Sequence, residues 1–367
     1  MLSIIIVTYN VSDHLQYCLL SVQKSAQGLD SEIIVIDNAS TDNTIQVLKE
    51  GFTGVTIIEN KSNDGFAKAC NQGAAIAKGD TLLFLNPDTI IGESTLEYVL
   101  SHLSNHSKVG AAGVMMIDGT GKFLPESKRG IPDSWNSFCK AVGLTSLFPN
   151  SYIFSGYHAG HLAKEEEHSV PVLSGAFMMV KTSAFKEVGG FDERFFMYGE
   201  DIDLSMLLIK HGYINLYLPL SPILHFKGRS SKKDREYVHR FYKAMLQFID
   251  KYYSRVHQLP LKLMLKLSVL SKRTLALSRV SEGKQKVSAP LTARVFQYVH
   301  GDAESCREYQ AEDKSPLIQI VTDPVHAQET ILCHGREFDF KSVIDYIRNH
   351  PGRKYGIHVM GLKGVID

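Results

Sequence analysis

An acidic turn follows the most apolar strand that the sequence predicts. Thr81–Leu85 is a nearly unbroken apolar run, typical of a strand covered on both faces in a parallel sheet, and Asn86-Pro87-Asp88 comes directly after it. Ligands of open α/β sheets bind in the crevice beyond the carboxyl ends of the strands, so Asp88 is a candidate ligand-binding residue. An Asx-type turn without a chemical role explains Asp88 alone equally well.

A second group of acids opens a predicted helix. Glu200, Asp201 and Asp203 precede the apolar helical positions, and Gly212 ends the pattern. The helix dipole favours acids in a first turn whatever their function, which explains one or two of the three. Aromatic residues flank the group, and neighbouring charges with partial burial are what set the pKa of a general base. The group therefore predicts a catalytic base.

A histidine followed by two cations forms a third candidate site. His225 ends a predicted strand, and Lys227, Gly228 and Arg229 follow it closely. A single histidine is more often structural than a ligand. A histidine at a strand end beside two cations is nevertheless typical of a site that holds a metal and phosphate groups.

Strands and helices alternate from the first residue. Apolar runs at 3–7, 33–36 and 55–58 each end in polar residues, and a stretch of helical spacing follows each run. This alternation predicts a doubly wound, mostly parallel α/β sheet with right-handed crossovers. The polar strand ends would then reach one crevice.

The turns after the first two strands suit a nucleotide base. Thr8, Tyr9 and Asp37 offer a hydroxyl, a ring face and an acceptor for a base that carries an imide N–H. The first turn, Thr8-Tyr9-Asn10, lacks both the glycine pattern of dinucleotide-binding folds and the Gly-Lys-Ser/Thr of a P-loop. The sequence therefore disfavours a dehydrogenase and a P-loop NTPase.

Composition narrows the class further. The chain has 367 residues, a formal net charge of +1 and 22% charged residues, so nothing global indicates a nucleic-acid partner or a disordered chain. Its five cysteines form no CxxC pair, which favours reduced thiols over a zinc site or a disulfide framework. The length allows two or three domains.

Together these segments resemble family 2 glycosyltransferases, most closely their rhamnosyltransferase-like branch. The resemblance covers roughly residues 1 to 250. The motifs that carry it are Thr8-Tyr9-Asn10, residues 37–42, residues 63–67 with Asn71 and Gly73, Asn86-Pro87-Asp88, residues 199–204 and residues 225–228.

The resemblance implies the GT-A fold and an inverting, metal-assisted transfer of a sugar from a nucleotide-diphosphate donor. By resemblance, Asp37 binds the pyrimidine base. Asp88 and His225 bind a divalent metal, Mg²⁺ or Mn²⁺, on the diphosphate. Asn86 stands where the family usually has a first aspartate, so more of the metal binding falls to Asp88.

The resemblance also implies the catalytic and donor-binding residues. Asp201 would be the catalytic base, with Glu200 and Asp203 as alternatives. The donor would be dTDP-rhamnose or a UDP-hexose, and the acceptor a hydroxyl of a lipid-linked glycan in cell-surface polysaccharide synthesis. The residues expected to hold the donor are Thr8, Tyr9, Asn10, Asp37, Asn38, Ser40, Asn63, Gly65, Phe66, Asn71, Asn86, Lys227 and Arg229.

The domain prediction separates a catalytic part from a C-terminal third. Residues 1–235 form the GT-A domain, with a nucleotide-binding half to about 115 and an acceptor-binding half beyond, and 123–167 is a long insertion near the cleft. An amphipathic helical segment (236–280), a linker (281–295) and a small α/β appendage (296–367) follow. The segment 261–273 is dense in leucine and cations, which predicts an interfacial helix and a cytoplasmic enzyme with peripheral membrane contact. Packing on the catalytic domain is the alternative.

Two other functions are compatible with the same sheet. A sugar-1-phosphate nucleotidyltransferase would need a loop rich in glycine and arginine after the first strand, and Thr8-Tyr9-Asn10 is not one. A non-catalytic sugar-binding protein would not need Asp88, Asp201 and His225 together. Both alternatives are therefore disfavoured.

Overall fold

The computed structural model describes residues 1–131, 143–227, 235–254, 295–312, 318–321, 327–362 and 365–367, together with Asn136, Cys139, Gln258 and Lys262. Its N-terminal part is built on a sheet of nine strands, and β7 and β9 pair separately. The strands are β1 (Leu2–Thr8), β2 (Ser31–Asp37), β3 (Val55–Glu59), β4 (Thr81–Leu85), β5 (Thr89–Ile90), β6 (Val109–Ile117), β7 (Lys128–Arg129), β8 (His168–Ser169), β9 (Val172–Leu173), β10 (Phe177–Lys181) and β11 (Ile214–His225).

The sheet is mostly parallel, as the alternation of strands and helices predicts. Its order is β3-β2-β1-β4-β10-β6-β11-β5, with β8 beside β11. Strands β1, β2, β3 and β4 are parallel, whereas β10 runs antiparallel between β4 and β6. The direction of β10 is not visible in the sequence because a buried antiparallel strand and a buried parallel strand both read as an apolar run.

Helices cover both faces of this sheet. Alternate residues of β1 divide between the two layers, with Ile4 and Ile6 packed against one set of helices and Ile5 and Val7 against the other. Each such side chain contributes roughly 1.5–3 kcal/mol when fully buried. The helices are α1 (Ser12–Ser25), α2 (Thr44–Gly51), α3 (Phe66–Ile76), α4 (Thr95–Asn105), α5 (Leu144–Leu147), α6 (Thr182–Glu187), α7 (Glu200–Lys210) and α8 (Arg235–Tyr252).

The apolar stretch at 170–180 is broken at Ser174-Gly175, as its sequence indicates. It forms β9 and β10 rather than one strand. The predicted insertion contains only short elements among the residues described there, including β7, α5 and two 3₁₀ turns (Pro125–Ser127 and Gly156–His158).

A second sheet lies in the C-terminal third. Its four strands are parallel and follow the order β13-β12-β14-β15. The sequence pattern predicts strands at 317–321 and 355–359 and a helix at about 340–349, which correspond to β13, β15 and α10, while β12, β14 and α9 are additional. The elements are β12 (Val295–Gly301), α9 (Ala303–Glu312), β13 (Ile318–Val321), β14 (Glu329–His334), α10 (Phe340–Asn349) and β15 (Tyr355–Val359).

The two sheets share one apolar cluster. Ile90 of β5 and Leu224 of β11 belong to the same buried cluster as Phe340 and Ile344 of α10. Beside this cluster, the Glu93 carboxylate accepts hydrogen bonds from the backbone N–H groups of Phe340 and Lys341, both at 2.9 Å. The C-terminal unit therefore packs against β5, which follows the acidic turn, and against its neighbour β11.

Residues 281–294 of the predicted linker and most of the predicted interfacial segment lie outside the described residues, whereas Val295 begins β12. The helix expected from 236 corresponds to α8, which ends at Tyr252. Among the described residues, no helix is both long enough and apolar enough to cross a membrane.

Candidate active site

The sheet register brings the polar strand ends to one edge. Thr8 is paired with Asp37 across β1 and β2, and Ile6 is paired with Leu85 across β1 and β4, so the acidic turn begins beside the end of β1. Tyr9 is half-buried at the same edge. The carboxyl ends of these strands therefore lie side by side, at the edge where open α/β sheets bind their ligands.

Two buried polar atoms at this edge are suited to a nucleotide base. Asp37 is 2% exposed, and its Oδ2 accepts a hydrogen bond from the Ser40 N–H at 2.9 Å. Its Oδ1 and the Thr8 Oγ1 are buried without a hydrogen-bond partner in the described part of the chain. Because unpaired buried polar atoms are costly, these two are candidates for bonding a ligand. A base with an imide N–H supplies the donor that Asp37 Oδ1 lacks.

Asn10, Asn38 and Asn63 mainly shape the loops around this base site. Asn10 has a φ of 52°, and its Oδ1 accepts from the Thr41 N–H at 2.6 Å. Asn38 donates to the Gly65 carbonyl at 3.2 Å, while Asn63 accepts from the Gly65 N–H at the same distance. The structure thus places these predicted donor-binding residues at the site but occupies their side chains with backbone bonds.

The segment at 65–71 contacts the 191–196 loop, which precedes the acids of α7. Gly65 has a φ of 97°, and a Cβ atom there would lie 2.4 Å from the Phe196 carbonyl oxygen, so only glycine fits. The Phe66 N–H donates to that same carbonyl at 2.7 Å. The Asn71 side chain bonds the backbone of Phe191 through both its oxygen and its nitrogen.

Asp88 and His225 form the second part of the site. They are 3% and 8% exposed, and Asp88 Oδ1 lies 3.4 Å from His225 Nε2 without forming a hydrogen bond. The contact arises because Thr89 pairs with His225 across β5 and β11. Asn86 Nδ2 lies 3.5 Å from His225 Nε2. Burial raises the pKa of Asp88, but the imidazoles of His225 and His14 outweigh it and leave that pKa below its usual value.

This arrangement fits a divalent cation that is shared with a substrate. In the described part of the chain, no group of three or more His, Cys, Asp or Glu side chains is arranged to hold a metal. Mg²⁺ is commonly bound by one or two carboxylates together with substrate phosphates, and imidazole is compatible with Mn²⁺. Asp88 Oδ1, which is buried without a hydrogen-bond partner in the described part of the chain, is a candidate ligand for such an ion.

The three acids of α7 have different surroundings. Asp201 Oδ2 accepts from Arg129 Nη2 at 2.6 Å and from the Gly175 N–H at 2.9 Å. Asp203 is fully buried, 2.7 Å from Lys251 Nζ, and bonded to the Tyr252 hydroxyl. Burial and then the Asp201 charge raise the pKa of Glu200 to about 8. Of the three carboxylates, Asp201 combines partial exposure with no ion pair to α8.

A short backbone link connects the acidic turn with Asp201. The Asn86 N–H donates to the Ala176 carbonyl at 3.0 Å, and the neighbouring Gly175 donates to Asp201. The turn that carries Asp88 and the carboxylate of Asp201 are therefore both bonded to residues 175–176.

The cations after His225 are only partly described. Lys227 has a φ of 50° and forms an ion pair with Glu126. Arg229 lies outside the described residues. The expected role of both residues in donor binding stays a prediction.

Sequence reasoning missed Arg129, Lys251 and Glu126. Each of these three residues contacts a predicted site residue. The contacting residues are far apart in sequence, as with Arg129 and Asp201, which are 72 positions apart. Arg129 lies in a stretch without clear periodicity, so its sequence carries no signal for the pairing. Lys251 lies on a predicted helix, where a surface lysine is the ordinary interpretation.

Comparisons with known proteins identify the family of this chain. The family model for glycosyl transferase family 2 matches residues 3–189, and that for glycosyl transferase family group 2 matches residues 151–299. The N-acetylglucosaminyl-diphospho-decaprenol L-rhamnosyltransferase of Mycobacterium tuberculosis is 32% identical over 244 residues, which cover 64% of this chain and 78% of that protein.

Two further similarities are more distant. The poly-beta-1,6-N-acetyl-D-glucosamine synthase of Staphylococcus aureus is 27% identical over 223 residues, covering 60% of this chain and 48% of that protein. A mannosyltransferase from Pyrobaculum calidifontis, solved with GDP-Man and Mn²⁺, has a TM-score of 0.49 and 15% identity, covering 78% of this chain and 81% of that one. The family match spans half of this chain. The strand order of the chain is that of a mostly parallel α/β sheet. This chain is a member of glycosyl transferase family 2 with a GT-A fold.

Proposed function

We propose that this glycosyltransferase is an inverting, metal-dependent enzyme that transfers a sugar from a nucleotide-diphosphate donor to a hydroxyl of a lipid-linked glycan during cell-surface polysaccharide synthesis. The observation that carries the proposal is the common edge on which Asp37, the Asp88–His225 pair and Asp201 meet. Each of the three offers an acceptor oxygen or a ring nitrogen, which supports a separate role for each in the reaction.

The donor end of the site favours a pyrimidine nucleotide. Asp37 Oδ1 is a buried acceptor that a thymine or uracil imide N–H satisfies. We therefore propose dTDP-rhamnose or a UDP-hexose as the donor. The similarity to a rhamnosyltransferase supports the first of these.

Asp88 and His225 are the residues that would hold Mg²⁺ or Mn²⁺ at the diphosphate. When bound, such an ion neutralises charge that develops on the leaving diphosphate. Asp88 would supply a carboxylate oxygen to the ion, and His225 a ring nitrogen. Asn86, beside His225, orients the ring or adds a weaker oxygen ligand.

Asp201 is the proposed base on the acceptor side. A hydroxyl that attacks an anomeric carbon must lose its proton as the new bond forms, and a carboxylate within hydrogen-bond reach accepts it. Direct attack from the face opposite the diphosphate inverts the anomeric configuration, and no covalent intermediate is needed. Glu200 and Asp203 remain the alternatives, with Asp203 already engaged by Lys251 and Tyr252.

The acceptor proposal places the enzyme beside a membrane. The rhamnosyltransferase relative acts on an N-acetylglucosaminyl-diphospho-decaprenol, which supports a prenol-linked acceptor here. We propose a cytoplasmic enzyme that touches the inner face of the membrane through 261–273, a segment of which the structure describes Lys262 alone. Co-sedimentation with anionic vesicles at low salt, reversed as salt rises, tests this contact.

A donor screen tests the function directly. Nucleotide sugars are compared for thermal stabilisation with and without Mn²⁺, because a ligand at about a hundred times its Kd adds roughly 2.7 kcal/mol of stability. The best donor is then incubated with N-acetylglucosaminyl-diphospho-prenol, and NMR gives the anomeric configuration of the product. A product of retained configuration contradicts the inverting mechanism. Formation of a nucleotide sugar from a sugar 1-phosphate and a nucleoside triphosphate would instead identify a nucleotidyltransferase.

A further inference from the structure

Arg129 makes an ion pair that needs an explanation beyond stability. Its guanidinium is buried, and Nη2 donates to both Asp201 Oδ2 and the Leu173 carbonyl, each at 2.6 Å. Removing two charges from water is costly, so a buried pair of this kind is weak evidence for a stabilising role. The carboxylate that Arg129 holds is also the one proposed as the base.

The bonds on Asp201 divide unequally between its two oxygens. Oδ2 receives Arg129 and the Gly175 N–H, while Oδ1 receives only the Ile202 N–H, at 2.8 Å, among the described contacts. A carboxylate oxygen has two lone pairs, so Oδ1 retains one for a further donor. Arg129 therefore fixes the rotation of the carboxylate and leaves Oδ1 as its less occupied oxygen.

The residues on either side of Arg129 form hydrogen bonds with a later part of the insertion, the 157–162 loop. Lys128 Nζ donates to the carbonyls of Ala159 and Leu162 at 2.8 and 2.9 Å. The Gly130 N–H donates to the Tyr157 carbonyl at 3.1 Å. Three consecutive residues thus join the 157–162 loop to the carboxylate of Asp201.

We propose that Arg129 is a positioning residue for the transfer reaction. It balances the charge of Asp201, sets the carboxylate so that Oδ1 faces the acceptor hydroxyl, and links the placement of the 157–162 loop to the placement of the base. The proposal rests on the proposed role of Asp201. Arg129 acts through that carboxylate and contacts neither donor nor acceptor.

Kinetics of Arg129→Gln and Arg129→Lys test the proposal. A misplaced base is expected to lower kcat about 100-fold in the Gln variant, while the donor KM and the donor Kd stay near the wild-type values. The Lys variant keeps the charge but cannot reproduce the planar guanidinium geometry, so an intermediate loss is expected. Arg194→Gln is the matched control, because Arg194 pairs with Asp192 at 2.5 Å but is mostly exposed.

Chemical rescue and a double variant separate positioning from general damage. Guanidinium ion at low millimolar concentration is expected to restore part of the kcat of Arg129→Ala and to have no effect on Arg194→Ala. In an Asp201→Asn background, Arg129→Gln is expected to cause little further loss, because the group it positions is already missing. Additive losses, or a raised donor KM with an unchanged kcat, would overturn the proposal.

The outcomes also distinguish the positioning role from the proposed function. Near-normal turnover of Asp201→Asn would remove the base assignment itself. An inactive Asp201→Asn with a fully active Arg129→Gln would remove only the role of Arg129. If Arg129→Gln does not fold because Asp201 is left unpaired, Arg129→Lys decides, and wild-type kcat in that folded variant contradicts the proposal.

Discussion

Asp201 accepts hydrogen bonds from Arg129 and two backbone amides, so its replacement by asparagine keeps its shape but removes a proton acceptor. We expect Asp201→Asn to bind donor and Mn²⁺ normally and to lose about 10²- to 10⁴-fold in kcat, the usual contribution of a general base. Calorimetry gives the binding, and a turnover assay gives kcat. Asp30→Asn, a change at an exposed carboxylate, is the control. Retained turnover would redirect the assignment to Glu200 or Asp203.

Asp88 and His225 differ in what they offer a cation. We expect Asp88→Ala to weaken Mn²⁺-dependent donor binding by more than the roughly 10- to 100-fold that loss of an outer-shell partner costs, and His225→Ala to weaken it less. The reason is that a carboxylate ligand brings a negative charge to the cation, whereas an imidazole ligand does not. Calorimetry at fixed Mn²⁺ measures both effects. Unchanged donor affinity in both variants would remove the metal assignment.

Glu200 gives the fold a dependence on pH. Its pKa is raised from 4.5 to about 8, so from pH 4.5 to 8 the folded state keeps a proton that the unfolded state has lost. Stability therefore falls as pH rises through this window and levels off above it. We expect Glu200→Gln to gain Tm relative to the wild type as pH rises from 5 to 8. A constant Tm difference, like that expected of the exposed Glu166→Gln, would contradict this.

At the scale of elements, α8 stabilises α7, the helix that carries the acids, through an ion pair and a hydrogen bond to Asp203. Lys251 Nζ lies 2.7 Å from Asp203 and 2.8 Å from Asp192. We expect Lys251→Met to cost about 3–5 kcal/mol, because it leaves the fully buried Asp203 without its cation. Urea denaturation measures this loss. Lys262→Met removes an exposed pair with Asp250 and should cost about 0–1 kcal/mol. Equal losses of stability in the two variants would contradict the stabilising role of Lys251.

Elements whose signals are local could be predicted from the sequence. The strand that ends at Asp37 and the strand before Asn86-Pro87-Asp88 each combine an apolar run with a polar end, and a parallel sheet brings such ends together whatever the loops do. The separate partners of the acids in α7 could not be predicted in the same way. Residues two apart on a helix point in different directions, so Asp201 meets Arg129 while Asp203 meets α8, and only the packed structure shows which partner each obtains.

Motif residues also divide by what they bond. Asn71 belongs to the donor-binding prediction, yet both ends of its amide are bonded to the Phe191 backbone, and that pairing stabilises the loop before α7. Polar residues that hold loops and polar residues that hold ligands look alike in a sequence, because the same residue types serve both purposes. Burial without a partner, as at Asp37 Oδ1, is what distinguishes the second kind.

At the scale of the whole molecule, the apolar cluster shared by the two sheets affects how the chain can be shortened. Removing 295–367 to isolate the catalytic sheet would leave Ile90 and Leu224 facing water, and the Glu93 carboxylate would lose both of its backbone partners. Newly exposed apolar patches promote aggregation. An insoluble or inactive truncated protein would therefore report a surface uncovered by the cut, and laboratories that trim such enzymes for expression should retain the C-terminal sheet before judging any residue of the catalytic edge.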